Sequence, residues 1–448
     1  MSFLQYAKRK DSGVEWLGIV PNHWNIRRLG FYFRERREKV SDKDFPPLSV
    51  TKSGVVPQLE TAAKTDDGDN RKKVVAGDFV INSRSDRKGS AGLAEQDGSV
   101  SLINTVLTPL EGINPRFVHY LLRSVAFQEE FYRYGKGIVA DLWSTNYSEM
   151  KVIALAVPPT QEQAVIASLL DYETTKIDGL VEEQKRLIEL LREKRQTVVT
   201  QVVTKGLIPN MPTKDSGVEW LGEMPARWEV LPLRRVISKI EQGWSPIAEN
   251  RVAEIGEPAI MKLSAISGGK FFAAENKAFD PASEPDPRYA IRAGDFLLTR
   301  ANTPSLVGEC CVVEGGVQEG LMLPDLVYRI TTKDRISKDY LRYWLRSQVG
   351  RFVIKIDARG SSMTMAKISQ EHIRNWPTFV PDLDEQRGIV KYLDREIDRL
   401  DALIVEVEAA ISLLQERRDA LISAAVTGKI DVRGLGEGDA RILDVAAA

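Results

Sequence analysis

The feature that most constrains this chain is an internal duplication. The pattern Lys-Asp-Ser-Gly-Val-Glu-Trp-Leu-Gly stands at residues 10–18 and again at 214–222, and in both copies a proline and a tryptophan follow at matching spacing. Gly-Asp-Phe with two apolar residues stands at 77–81 and 294–298, and Val-Pro with a later Glu-Gln stands at 157–163 and 380–386. The offsets are 204, 217 and 223 residues. A period so far above the roughly 20–50 residues of solenoid repeats predicts two whole domains, each with an appendage.

The appendage that follows each Val-Pro pair is predicted to be a long helix. Residues 161–205 contain no proline, and apolar residues in both copies recur three and four positions apart, as in a heptad seam. About 45 helical residues would span roughly 65 Å. Ordinary core helices are the alternative, but these stretches are longer than globular helices usually are. The residues predicted to pack between helices or against partners are Ile177, Leu180, Leu187, Leu191, Ile397, Leu400, Ile404, Val407, Ile411 and Leu414.

The segments before the helices are predicted to be mixed α/β domains. Short β-branched runs at 73–81, 100–110, 290–298 and 311–314 are bounded by turn residues, whereas 116–134 and 337–356 have helical spacing. The predicted divisions are a first domain at 1–156, a helix at 157–206, a linker at 207–213, a second domain at 214–379, a helix at 380–432 and a tail at 433–448. We expect the two helices to pair as an antiparallel coiled coil with pseudo-two-fold symmetry, which would place two different domains at opposite ends of a rod. No role is assigned to the tail.

Composition excludes several classes of function. With 62 basic and 63 acidic side chains, any contact with nucleic acid must come from local patches. Adjacent Cys310 and Cys311 cannot form a disulfide framework, and the three scattered histidines have no zinc-ligand spacing. The chain has no phosphate-binding Gly-rich loop and no Asn-Pro-Pro-Tyr-type methyltransferase motif. We therefore predict a protein that is not an enzyme and holds no metal. The sequence has no apolar run long enough for a membrane span or signal peptide, so we expect it in the cytoplasm.

The duplicated motifs resemble those of type I restriction-modification specificity subunits. The Glu-Trp-Leu-Gly opening, the Gly-Asp-Phe motif with Arg84 or Arg300 after it, and the Glu-Gln helix start carry this resemblance over nearly the whole chain. The chain departs from the usual Pro-Pro pattern at Asp382, which follows Pro381. The resemblance implies that the two domains read a split double-stranded DNA target, that the helices dock two methyltransferase subunits, and that restriction subunits join the assembly. S-adenosylmethionine, Mg²⁺ and ATP would then belong to those partners, with no cofactor in this chain.

Candidate DNA contacts are basic or amide side chains in loops at equivalent positions of the two copies, because planar donors suit base edges and positive charge suits phosphates. They are Arg84, Arg87, Lys88, Lys136, Arg300, Asn302 and Arg359. Two alternatives remain: Arg84 and Arg300 could pair with internal acids, and Lys136 and Arg359 could belong to solvated glycine turns.

The repeated tryptophans invite a base-stacking hypothesis. These are Trp16, Trp24, Trp220 and Trp228. A packing role is favoured, since two domains that read different sequences would not need identical stacking residues.

Two further functions stay open at this point. One is a coiled-coil adaptor whose two α/β domains bind ligands other than DNA. The other is an enzyme with an unrecognised active site in a domain cleft. Salt-dependent binding to duplex DNA separates the first from a DNA-reading subunit, and activity of the purified chain would identify the second.

Overall fold

The structure is a computed structural model that describes residues 4–60, 68–137, 143–219, 221–280, 283–362 and 365–434. Trp220 and tail residues 435–448 lie outside this part of the chain. The chain divides into two compact units: unit 1 is Met1–Lys185 with Glu408–Ala448, and unit 2 is Arg186–Val407. Each unit thus contains one α/β domain and a segment of both long helices.

Unit 1 contains an antiparallel four-stranded sheet in the order Ala91–Leu93, Phe79–Asn82, Asn104–Pro109 and Phe33–Glu35. A three-stranded sheet has the order Gly98–Val100, Arg71–Val74 and Lys39–Val40. The other described strands pair antiparallel as Arg9–Asp11 with Ile19–Pro21, Asn25–Arg28 with Ala154–Val157, and Leu48–Thr51 with Gly54–Pro57. Its short helices are α1 (Pro115–Arg123), α2 (Val125–Arg133) and α3 (Tyr147–Met150).

Unit 2 repeats this plan. Its antiparallel four-stranded sheet has the order Ile237–Gln242, Val327–Thr332, Phe296–Thr299 and Cys310–Val312. A second sheet has the order Asn276–Ala278, Ala259–Met261 and Leu321–Met322. A third has the order Ala301–Asn302, Met365–Lys367 and Arg359–Ser362. The remaining described pairs are Thr213–Asp215 with Glu223–Pro225, Glu229–Pro232 with Pro377–Val380, and Ile266–Ser267 with Lys270–Phe271. The short helices, α5 to α7, are Lys338–Arg346, Gln348–Asp357 and Gln370–Asn375.

The Gly-Asp-Phe motif forms the turn and first residues of a central strand in each domain. Phe79 packs into the main core of unit 1 and Val80 into a smaller cluster on the opposite face, because successive strand side chains alternate between faces. In unit 2, Phe296 packs into the main core and Leu297 into a smaller cluster on the opposite face. The motif therefore specifies a strand that is buried on both sides.

The aspartate of this motif holds the turn in place. Asp78 is buried, accepts a hydrogen bond from the Val75 amide at 2.9 Å and pairs with Arg36 at 2.7 Å. Asp295 accepts one from the Arg292 amide at 2.9 Å. These carboxylates have a structural role in positioning the strand that leads to the candidate DNA-contact loop.

The two stretches with helical spacing are helical, and each consists of two short helices. Ser124 separates α1 from α2, and its hydroxyl accepts a hydrogen bond from the Phe127 amide at 3.3 Å. Ser347 separates α5 from α6, and its hydroxyl accepts one from the Gly350 amide at 3.1 Å. Both serines have extended backbone angles and cap the second helix, which explains the break.

The two long helices are α4 (Thr160–Lys205) and α8 (Leu383–Val426). In unit 1, Asp178 of α4 accepts hydrogen bonds at 2.9 and 3.2 Å from Arg418 of α8. In unit 2, Arg195 of α4 lies 3.6 Å from Asp401 of α8. The later residue of α4, Arg195, contacts the earlier residue of α8, Asp401, so the two helices pair antiparallel. The prediction of two mixed α/β domains, each followed by a long helix, is confirmed.

The seam of α8 follows the predicted heptads, whereas that of α4 is displaced. Ile397, Leu400 and Ile404 are buried, and Val407, Ile411 and Leu414 are half-buried. On α4 the prediction included Leu180 and Leu187, but these are 38% and 39% exposed, while Ile177, Val181 and Ile188 are buried and Leu191 is half-buried. At both displaced positions two apolar residues are adjacent, and spacing alone does not select the residue that faces the neighbouring helix. Whether these ten residues contact partners remains a prediction.

Candidate nucleic-acid interface

The repeated tryptophan and the repeated helix-start glutamate meet in each unit. Trp24 is fully buried, and its indole N–H donates to Glu162 at 2.9 Å. Trp228, also fully buried, donates to Glu385 at 2.8 Å. A buried indole needs an acceptor, and a carboxylate at the start of a helix supplies one and suits the helix dipole. The predicted packing role is confirmed for these two tryptophans.

The glutamine beside each glutamate ties the helix start to the domain. Gln163 accepts a hydrogen bond from the Asn114 amide at 2.7 Å and donates to the carbonyls of Gly112 and Pro158. Gln386 accepts one from the Ser337 amide at 2.8 Å and donates to the carbonyls of Arg335 and Pro381. Both side chains are buried, so the Glu-Gln motif sets the position of a domain on its helix.

The departure at Asp382 preserves the helix start. Its carboxylate accepts a hydrogen bond from the Glu385 amide at 2.8 Å, and its carbonyl accepts one from the Gln386 amide. Asp382 therefore caps the N-terminus of α8, although the usual second proline is absent.

The end of the other long helix completes the attachment of each domain, which we call its anchor. The anchor consists of the buried tryptophan, the Glu-Gln pair at the start of one long helix and the glycine at the end of the other. Gly428, after α8, has a left-handed φ of +72°, and a Cβ there would lie 3.3 Å from the Trp24 ring. Gly206, after α4, has a φ of +75°, and a Cβ there would lie 3.3 Å from the Trp228 ring. Each domain is thus fixed to the start of one long helix and the end of the other.

The candidate residues of unit 1 come together through three short backbone segments. Arg84 and Ser144 form a bridge, and Ser144 forms another with Lys136 through two hydrogen bonds of 3.0 Å. We call this arrangement the unit 1 loop ladder. Arg87 and Lys88 follow Arg84 on the same loop, at the end of a single helical turn.

Unit 2 contains the corresponding loop ladder, but the prediction that Arg84 and Arg300 occupy equivalent positions is wrong. Ala301, which pairs with Lys367, takes the place of Arg84, and Arg300 takes the place of Ser83. Asn302 lies on a strand that pairs with Met365–Lys367, which pairs in turn with the strand that begins at Arg359. The Arg300 carbonyl accepts a hydrogen bond from the Ile368 amide at 2.9 Å, next to this sheet. Residues far apart in the chain are therefore adjacent here. The side chain of Arg359 lies outside what the structure describes.

The basic side chains of the ladders that the structure describes have either no ion pair or an ion pair that is at least partly exposed to solvent. Within the described residues, neither Arg84, which is exposed, nor Arg300, which is half-buried, forms an ion pair. Lys88 lies 2.5 Å from Glu129, and both side chains are exposed. Lys136 lies 3.2 Å from Glu149; the lysine is exposed, whereas the glutamate is half-buried. Exposed ion pairs contribute about 0–1 kcal/mol, so they can exchange for another anion at low cost. The alternative of internal pairing finds no support for the two arginines in the described part of the chain.

Two residues of the ladders were not predicted. Lys367 is exposed in the middle strand of the unit 2 ladder, and Trp143 is 40% exposed beside Ser144. Lys367 corresponds to Ser144 at the 223-residue offset, so the duplication gave no signal for a basic residue there.

The described residues include no group of three or more His, Cys, Asp or Glu side chains that could hold a metal. Burial raises the pKa of Cys311 to about 12 and also raises that of Cys310, so neither thiol is activated. Among the helices seen in the described ranges, none combines the length and apolar character needed to cross a membrane.

No family model matches the chain. The chain is 28% identical over 244 residues to the type I restriction enzyme EcoEI specificity subunit of Escherichia coli, a match that covers 53% of this chain and 40% of that relative. It is 22% identical over 466 residues to a Methanocaldococcus jannaschii protein provisionally named type I restriction enzyme MjaX specificity subunit, and this match covers 96% of this chain and 99% of that relative. It is 21% identical over 380 residues to the type I restriction enzyme EcoKI specificity subunit of E. coli K12, and this match covers 82% of this chain and 77% of that relative.

A solved structure has the same fold. Its chain comes from work on complex assembly and conformational transition of the type I R-M system; it superposes with a TM-score of 0.67 and 17% identity and covers 92% of this chain and 99% of that one. The relatives above are named as specificity subunits, which supports the prediction that this chain is not an enzyme. Over between about half and nearly all of its length, the chain is similar in sequence to proteins named as specificity subunits of type I restriction enzymes.

Proposed function

We propose that this chain is the DNA-reading subunit of a type I restriction-modification complex and recognises a bipartite double-stranded target with its two domains. The observation that carries the proposal is the pair of loop ladders. Each brings together backbone segments that carry basic or amide residues from distant parts of one domain, and Arg84 and Arg300 form no ion pair among the described residues. Arginine on such a surface suits both the guanine edge and the phosphate backbone.

The difference between the ladders supports two different half-sites. The unit 1 ladder contains Arg84, Ser144 and Lys136, whereas Asn302 and Lys367 stand in the unit 2 ladder. The repeated anchors hold both domains by the same contacts, while the exposed side chains differ. A common support with different reading surfaces is what recognition of an asymmetric sequence requires.

The long helices are proposed to dock two methyltransferase subunits. Their described surfaces retain exposed apolar side chains outside the seam, including Leu190 at 51%, Val405 at 64% and Leu413 at 65% exposure. Contiguous exposed apolar patches mark contact surfaces, and we propose that a partner covers these side chains in the complex. Restriction subunits would join that assembly, and S-adenosylmethionine, Mg²⁺ and ATP would be bound by the partners. The domain limits at 1–156 and 214–379, and a cytoplasmic location, belong to the same proposal.

Binding to duplex DNA tests this function. We expect the complex of this chain with its methyltransferase subunits to bind duplex DNA with an affinity that falls steeply as salt rises, since phosphate contacts release counterions. The Arg84→Ala/Arg300→Ala double variant, which leaves both anchors intact, should lose preference for the specific duplex over a scrambled one. The same complex without this chain is the control. Equal affinity with and without this chain would refute the proposal and favour the adaptor function.

A further inference from the structure

A cavity of about 390 Å³ lies in unit 1 between the α1–α2 junction, the loop at Lys88 and Gly89, and the last turns of α8. This volume suits a small ligand. Its charged and titratable lining residues are Lys52, Lys88, His119, Arg123, Glu129, Arg418 and Asp419. Four of these are basic and two acidic, in a chain whose overall charge is nearly balanced.

Arg123 has no hydrogen-bonded carboxylate in this cavity among the described residues. Its guanidinium contacts His119 Nε2 at 2.6 Å and donates to the Lys52 carbonyl at 2.5 Å. Burial, and then the nearby Arg418, lower its pKa. Arg123 is half-buried, and Asp178 acts on it without a hydrogen bond. A partly desolvated cation that has no hydrogen-bonded carboxylate is stabilised by an anionic ligand.

The surroundings add positive potential. The first residues of α2, Ser124 and Val125, line the cavity, and a helix N-terminus favours anions. Arg418 is paired with Asp178 and Lys88 with Glu129. These pairs position both basic side chains at the cavity wall but largely balance their charges, so the charge without a hydrogen-bonded carboxylate is that of Arg123. Burial, followed by Arg123 and Arg418, lowers the pKa of His119 to about 4, so its ring is neutral at neutral pH and adds no further charge.

Unit 2 shows what the cavity of unit 1 lacks. Arg346, which corresponds to Arg123 at the 223-residue offset, donates to Glu309 at 3.0 Å. The residue that corresponds to Glu309 is Ser90, because each accepts a main-chain hydrogen bond from the last residue of the preceding central strand. One copy of the arrangement thus contains its own carboxylate, and the other has a serine in its place.

We propose that the unit 1 cavity is a phosphate-binding site, in which a phosphate group pairs with Arg123 and supplies the negative charge that Glu309 supplies in unit 2. The phosphate could come from a free phosphate monoester or from the DNA backbone, and the site chemistry is the same for both. The proposal rests on Arg123 and its surroundings and does not require the loop ladders to read DNA.

Histidine resonances of the full chain provide the test, because the sequence contains only three histidines. Inorganic phosphate is titrated at constant ionic strength into the ¹⁵N-histidine-labelled protein. We expect a saturable shift of the His119 ring signals and a rise of the His119 pKa, with His372 in unit 2 unaffected. Arg123→Gln should weaken phosphate binding about tenfold or more, because it removes the charge-assisted contact. Arg346→Gln, its counterpart in unit 2, should leave phosphate binding unchanged.

Ser90→Glu gives an independent variant, since it introduces the carboxylate of unit 2 and should abolish phosphate binding. If that variant fails to fold, Arg123→Gln still decides the question. A folded protein whose His119 signals do not respond to phosphate, or respond equally in Arg123→Gln, would overturn the proposal. Duplex DNA added to the phosphate-saturated protein identifies the source: displacement of phosphate assigns the site to the DNA backbone, and retention assigns it to a small phosphorylated ligand.

Discussion

Replacing Trp24 with alanine is expected to destabilise unit 1 by about 3–5 kcal/mol, the usual cost of truncating a large buried aromatic residue. The ring is fully buried, packs against Tyr6 and lies against the end of α8 at Gly428. Its removal also takes a hydrogen-bond donor from Glu162, which is 8% exposed. The domain would then lose one contact with each of the two long helices at once.

Hydrogen exchange with mass spectrometry measures this effect for each unit separately. Trp24→Ala should raise exchange in Ala154–Val157 and Asn104–Pro109 of unit 1 but leave Phe296–Thr299 of unit 2 protected, and Trp228→Ala should do the reverse. Trp24→Phe retains an aromatic ring but loses the hydrogen bond and part of the ring volume, so we expect a smaller cost of about 1–3 kcal/mol. Unchanged protection of unit 1 in Trp24→Ala would mean that this anchor does not hold the domain.

The largest functional effects are expected at Arg84 and Arg300. Arg84→Ala should weaken recognition of one half-site and Arg300→Ala that of the other, each by about 1–3 kcal/mol, since a bidentate arginine–guanine contact has about this effect on base discrimination. That corresponds to roughly a fivefold to 150-fold loss of affinity for the intact target. Neither side chain forms an ion pair within the described residues, so little cost to stability is expected.

Matched controls exist in each unit. Arg37, with 77% side-chain exposure and a pair with Glu35, and Arg288, with 81% exposure and a pair with Asp286, lie outside the loop ladders. Arg37→Ala and Arg288→Ala should leave half-site preference unchanged. Binding is measured with duplexes in which one half-site at a time is scrambled. If Arg84→Ala and Arg300→Ala affect both half-sites equally, the arginines contact only phosphates, and the assignment of base contacts is wrong.

The duplication predicted the architecture well, because repeated motifs report repeated structure. It did not predict that the repeated motifs touch one another. Trp24 and Glu162 are 138 residues apart, and only the fold shows that the first holds the second. The sequence also gave no sign that each domain is closed by the end of the other long helix, since a simple tandem order fits the repeat equally well.

Helical spacing does not show where one helix ends and the next begins. A serine such as Ser124 or Ser347 is compatible with the interior of a helix, and only its extended backbone angles show that it caps a second one. On α4, adjacent apolar pairs such as Leu187 and Ile188 hid the true seam. Lys367 had no basic counterpart in the first copy and was missed, although it lies among residues that had been predicted.

The central claim is that this chain reads two half-sites, and mapping of adenine methylation in cells tests it most directly. The chain is co-expressed with its genomically neighbouring methyltransferase, and the host DNA is read by long-read sequencing with and without this chain. We predict methylation at a single split motif that disappears when the chain is deleted. Methylation that is absent in both cases, or that persists unchanged without the chain, would contradict the claim.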